Sequence, residues 1–390
     1  MATHCLKTPS YQLYQDFADK IFGVGKINIK SNNDNNVIGT LKYADDYLVF
    51  KKNFGNRLIR LRDRYSGTPF YKDLLDTVAL IADEKNWEGA YAELAAYDIM
   101  SNDYLPDIIE LNKTLPVADS FSGELGGKET NEDGFIKEYD LYFDVKILAD
   151  TVGGILKGII DDAIKQANQE KICDILPECL LDDDEQDYQT NRRKLMEELR
   201  DFLIANKPSD NKGKKCFHSS ILPQLAYRIN WGGGINSAIG EYNPYRHAEE
   251  CKHLIFKRYT KKFLKKKPFF LVLVNFPWYN GRINSFANAD EVFYRSLARR
   301  TFCEYKNLPT TMASIVNKFS GPESVYEVSK YLSGIIYLDD HIIKEDKYTC
   351  HIYTNPNAIN GIRYGRSYLE QIVAGGDSRS LFDDMIHDNY

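Results

Sequence analysis

The clearest pattern along the chain is a nearly unbroken apolar run, Phe269-Phe270-Leu271-Val272-Leu273-Val274-Asn275-Phe276. Such a run has no polar side to offer solvent, so it predicts a strand buried on both faces at the centre of a mixed α/β sheet. A second strand is predicted over Tyr139–Ile147, where Leu141, Phe143, Val145 and Ile147 alternate with Asp140, Tyr142, Asp144 and Lys146. Ser333–Leu338 and Tyr348–Tyr353 form a further hairpin, leaving through Asn355-Pro356-Asn357-Ala358. Helical spacing marks Tyr11, Tyr14, Phe17, Ala18 and Ile21, the stretch 71–83, and Trp87, Ala90, Tyr91 and Leu94. Two more helices are expected over about 150–170, with Val152, Ile155, Leu156, Ile159, Ile160 and Ile164 inward, and near 188–205. Residues 37–65 read as one or two strands carrying basic side chains, and Lys207 to Lys215 as the most linker-like segment.

Composition bounds the class. The 390 residues are 43% hydrophobic and 13% aromatic, which implies a folded protein with a sizeable core. No run of about 18 apolar residues is present and Met1–Pro9 has no apolar signal core, so a cytoplasmic protein with no membrane partner is expected. Seven scattered cysteines without a C-x-x-C pair suggest reduced thiols. The net charge of −6 gives no general attraction for nucleic acid, so any such contact must be local. The stretch around Lys257, Arg258, Lys261, Lys262, Lys265 and Lys266, interleaved with Phe256, Tyr259 and Phe263, suits a sugar-phosphate backbone, and Arg299 and Arg300 add charge on a later helix. A lysine-rich solvated helix face is the bland alternative.

Several chemistries are excluded by their missing signatures. There is no G-x-S-x-G elbow around His218-Ser219-Ser220, and no H-E-x-x-H spacing at His247 or His341. Trp231-Gly232-Gly233-Gly234 lacks the ending of a phosphate loop. Asp144 and Lys146 are different. On one strand face they lie about 7 Å apart along the chain, with a carboxylate for a hard cation and an ammonium for an anionic phosphate.

Eleven residues before Asp144 stands Asp133-Gly134-Phe135-Ile136, and a Lys137-Glu138 turn leads into the strand. This arrangement resembles the PD-(D/E)xK nuclease superfamily, with its restriction-endonuclease-like fold. The resemblance implies that Asp133 and Asp144 bind Mg²⁺ (or Mn²⁺), that Lys146 assists the water or the scissile phosphate, and that Glu93 on the preceding helix orients metal or water. Asp119 and Asp140 remain alternative first acids, and Glu88 a substitute for Glu93. It also implies an α/β fold with a mixed central sheet flanked by helices. That core would occupy 71–365 with a helical insertion at about 150–250, an elaboration at 1–70 and a tail at 366–390. The expected activity is a DNA endonuclease of restriction or anti-phage type, with RNA as an open substrate, and with a homodimer or a protein partner in view. The rival expectation is an inactive nuclease-like or unrelated α/β module that binds DNA or a protein.

Overall fold

The computed structural model describes residues 10–29, 35–42, 47–83, 85–101, 108–116, 129–147, 151–169, 173–178, 185–210, 212–232, 243–251, 254–276, 289–303, 325–361 and 380–382. The chain forms two compact units. One comprises 1–148, 255–281 and 297–390, and the other 149–254 and 282–296.

The first unit begins with five helices, α1 (Ser10–Phe22), α2 (Asn36–Lys42), α3 (Leu48–Tyr65), α4 (Tyr71–Leu80) and α5 (Trp87–Met100). Strands β1 (Glu110–Pro116), β2 (Glu129–Ile136) and β3 (Leu141–Ile147) follow. In the second unit, helices Thr151–Gln166 and Glu185–Asn206 accompany β4 (Cys173–Glu178), β5 (Gly213–His218) and β6 (Ala226–Trp231). The first unit is completed by β7 (Phe269–Asn275), β8 (Gly334–Asp340), β9 (Tyr348–Thr354) and the three-residue β10 (Ser380–Phe382).

The principal sheet has the order β1-β2-β3-β7-β8-β9-β10. Its β3–β7 and β7–β8 pairs are parallel and β1–β2, β2–β3 and β8–β9 antiparallel, so the α/β fold is built on a mixed sheet flanked by helices. The apolar run at β7 lies at its centre, fully buried from Phe269 to Val274. Leu141, Phe143 and Val145 of β3 join Phe270, Val272, Val274, Ile336, Leu338 and Ile352 in one core with α1–α5. Strand β3 lies between β2 and β7, and from Leu141 to Val145 its residues are buried on both faces, Asp144 fully.

The expectation of strands over 37–65 is overturned, since these residues form α2 and α3. Phe50, Phe54, Leu58, Leu61 and Tyr65 recur at helical spacing and are all buried, and this stripe outweighs the charged residues between them. Arg57, Arg60 and Arg62 are each paired with acids. Arg57 is buried and grips Asp340 of β8 through two hydrogen bonds of 2.8 and 2.9 Å, while the Tyr91 hydroxyl donates to the same carboxylate at 2.7 Å. Arg60 bridges Asp98 and Asp346. This network fastens α3 and α5 to the C-terminal end of β8.

In the second unit β4, β6 and β5 make a three-stranded antiparallel sheet. Its core joins Leu156, Ile159, Ile160, Tyr188, Leu195, Leu199, Tyr227 and Trp231. The unit is therefore α/β and not purely helical as expected. Lys207–Lys215, read as a linker or only a loop, lies inside this unit between a helix end and β5.

Candidate functional site

The site is built around an early end to one strand pairing. The β2–β3 ladder runs through Ile136–Leu141, Phe135–Tyr142 and Gly134–Phe143. There the Phe143 ring lies directly against Gly134, and any Cβ at that position would overlap it. At the next residue the Asp133 carboxylate enters the gap, and Val145 N–H donates to its Oδ2 at 2.7 Å. On the other side of β2, Asn112 takes a left-handed φ of 50°, and the β1–β2 register passes over the Asn112–Asp133 position. Asp133 thus sits where the ladders on both of its sides are interrupted.

Asp144 lies across this gap. Apart from ammonium groups, no donor among the described residues satisfies its carboxylate oxygens. Lys146 Nζ pairs with Oδ2 and also stands 3.5 Å from Asp133 Oδ2, while Lys262 Nζ lies 3.4 Å from Oδ1. Lys262 in addition donates to Asn131 O. Burial by itself would lower the Lys146 ammonium, but Asp144 and Asp133 outweigh that and hold its pKa above the ordinary lysine value. Burial, reinforced by Asp144 and Glu93, pushes the Asp133 carboxyl well above the usual carboxylate range.

Glu93 reaches the same place from α5. Thr77 and Tyr97 hydroxyls lie 3.5 and 3.4 Å from its Oε2, and the Tyr97 hydroxyl also lies 3.1 Å from Asp133 O, so one side chain ties α5 to β2. Burial pushes the Glu93 carboxyl up to about 7, with Asp144 adding to the effect and Lys146 opposing it. Glu132 is a fourth acid, absent from the expected set. It is fully buried, its Oε1 accepts from Thr130 Oγ at 2.9 Å, and its Oε2 has no partner among the described residues. Burial, then the charge of Asp144, raise it to about 8, against the pull of Lys262.

The structure therefore brings together Glu93, Asp133, Asp144 and Lys146, and adds Glu132 and Lys262. Asp140 is corrected: it occupies the turn before β3 with φ 48°, is largely exposed, and pairs with Lys267. Asp119 lies outside the described residues. Of the basic segment, Lys262 alone is recorded at the acids, Lys265 is half-buried and Lys266 exposed, and the side chains of Lys257, Arg258 and Lys261 lie outside the described set. Phe256, Tyr259 and Phe263 are buried in the fold, so they offer no ring for stacking on bases. Arg299 and Arg300 are half-buried on the helix Ala289–Phe302. Of the acids near His341, Asp340 is gripped by Arg57, while Asp339 accepts from Asn275 through Oδ1 and its Oδ2 lies 3.8 Å from His351 Nε2.

Buried carboxylates this close are costly unless a cation compensates them. The donor set is all oxygen, as hard divalent cations prefer, and Lys146 Nζ stands between Asp144 Oδ2 and Asp133 Oδ2 where such a charge belongs. The donor chemistry of Asp133 and Asp144 therefore suits a Mg²⁺-type ion. No protein-family model, no curated protein and no solved structure matches this chain.

Proposed function

We propose that the protein is a Mg²⁺-dependent nuclease of the PD-(D/E)xK type that hydrolyses phosphodiester bonds in DNA, in a restriction or anti-phage setting. The observation that carries this reading is the fully buried Asp144, whose Oδ2 pairs with Lys146 while the same ammonium lies 3.5 Å from Asp133 Oδ2. A structural salt bridge would not need Glu93 and Glu132 beside it, both pushed towards holding protons.

In this reading Asp133 and Asp144 hold the ion, and Glu93 orients it or its water. When bound, Mg²⁺ would lower the pKa of water and offset charge on the phosphate. The Val145 N–H bond keeps the Asp133 carboxylate aimed across the strand gap. Tyr97 holds Glu93 against β2. Lys146, which pairs with both carboxylates, would supply an ammonium for the scissile phosphate or the attacking water. Lys262 adds a second ammonium from a different element.

The test is cleavage of plasmid, linear duplex, single-stranded DNA and RNA by the full chain with Mg²⁺ or Mn²⁺. Asp144→Asn and Lys146→Met are run beside the wild type after their folding is checked. Cutting that requires metal and disappears in both variants is the expected result. Equal cutting by all three proteins would place the chemistry elsewhere. No cutting of any substrate would favour a module that only binds.

A further inference from the structure

A second group of buried polar side chains lies on the same sheet, away from the acids of β2 and β3. In the β8–β9 pairing Asp339 is opposite Thr349 and Tyr337 is opposite His351. Side chains alternate along a strand, so Asp339 and His351 are diagonal neighbours on one face. Leu338, Cys350 and Ile352 enter the helical core from the other face. Asn275 of β7 is paired with Asp339, and its Nδ2 donates to Asp339 Oδ1 at 2.7 Å. That bond fixes the carboxylate and leaves Oδ2 on the side of His351, whose Nε2 lies 3.8 Å away. Both side chains are more than nine-tenths buried.

An N···O separation of 3.8 Å is too long for a direct hydrogen bond. It suits two ligands of one ion, because bonds of about 2.0–2.2 Å to each can span up to about 4 Å. Mg²⁺ favours an all-oxygen set, whereas Zn²⁺ and its neighbours take imidazole nitrogen and carboxylate oxygen together. The strand register keeps this pair apart from the acids: Asp339 and His351 each stand roughly 16 Å from Asp144 between Cα atoms.

We propose that Asp339 and His351 form a binding site for one first-row transition ion of the Zn²⁺ class, with Asn275 orienting the carboxylate. An ion there ties β8 to β9 and compensates a buried carboxylate. The site is separate from the one proposed for Mg²⁺ and does not depend on the nuclease reading.

The test adds one equivalent of Zn²⁺ to the full chain carrying Asp144→Asn, which disables the acid site, and to wild type in excess Mg²⁺. Zinc-edge X-ray absorption is expected to show one imidazole nitrogen among oxygen ligands in both. In calorimetric titrations His351→Gln and Asp339→Asn should abolish this binding. Asn275→Leu, which keeps both ligands but removes the orienting bond, should weaken it about tenfold. Circular dichroism checks that each variant is folded, and the ligand shell of wild type decides the matter where a variant is not. An absence of binding, an all-oxygen shell, a sulfur ligand, or unchanged affinity in folded His351→Gln would overturn the inference. None of these results bears on the cleavage test, so the proposed function stands or falls separately.

Discussion

Glu132→Gln should make the metal-free protein more stable above neutral pH. The Glu132 carboxyl is fully buried and pushed up to about 8 from an ordinary value near 4.5. A folded-state pKa above the unfolded one means that the native chain binds the extra proton. Stability is therefore highest below about 4.5 and declines as pH rises to about 8. Each tenfold in proton affinity is worth about 1.4 kcal/mol, so full ionisation of Glu132 has a ceiling of roughly 5 kcal/mol. Lys262 attracts the ionised form and can move closer to it, which brings the expected cost to about 1–3 kcal/mol. Glutamine keeps the shape and has no charge to bury. The assay is urea unfolding of wild type and Glu132→Gln in a chelator between pH 5 and 9. The variant should gain about 1–3 kcal/mol at pH 8–9 and almost nothing at pH 5. No gain at pH 9, or an equal gain at both ends of the range, would refute the reasoning.

Other expectations follow from single contacts. Gly134→Ala should destabilise by about 1–3 kcal/mol through overlap with the Phe143 ring, and Phe143→Leu in the same chain should recover part of that, as thermal melts would show. Asp340→Asn removes the charge gripped by buried Arg57 and should cost about 3–5 kcal/mol; the pair Arg57→Met with Asp340→Leu should cost less, as a double-mutant cycle by denaturant titration would reveal. Glu93 loses its proton only near pH 7, so the affinity for the first ion should climb as pH rises through that value. Glu93→Gln should flatten this climb in calorimetric titrations with Ca²⁺.

Much of the fold could be read locally. The apolar run at 269–276 and the alternation at 141–147 are properties of neighbouring residues, and each appears in the structure as a buried strand of the mixed sheet. The α3 stripe at Phe50, Phe54, Leu58, Leu61 and Tyr65 is equally local, and the charged residues between them mask its period. The spacing of Asp133 from Asp144 marked a compact hairpin, but it left Asp140 as a rival first acid. The left-handed turn at Asp140 removes that rival, and no alternation pattern records such a turn.

What the chain determined by itself, then, was strands β3, β7, β8 and β9, several of the helices, and the placing of Asp144 and Lys146 on β3. Tertiary structure decided which charges share a buried space. Lys262 reaches Asp144 across an interval that holds residues 149–254 of the second unit, and Asp133 reaches the Val145 N–H where the β2–β3 ladder ends at Gly134. Hydrophobic periodicity is set by the backbone repeat of each element and so survives in one dimension. Ion pairing between distant residues depends on where the sheet brings them, and no spacing along the sequence encodes it.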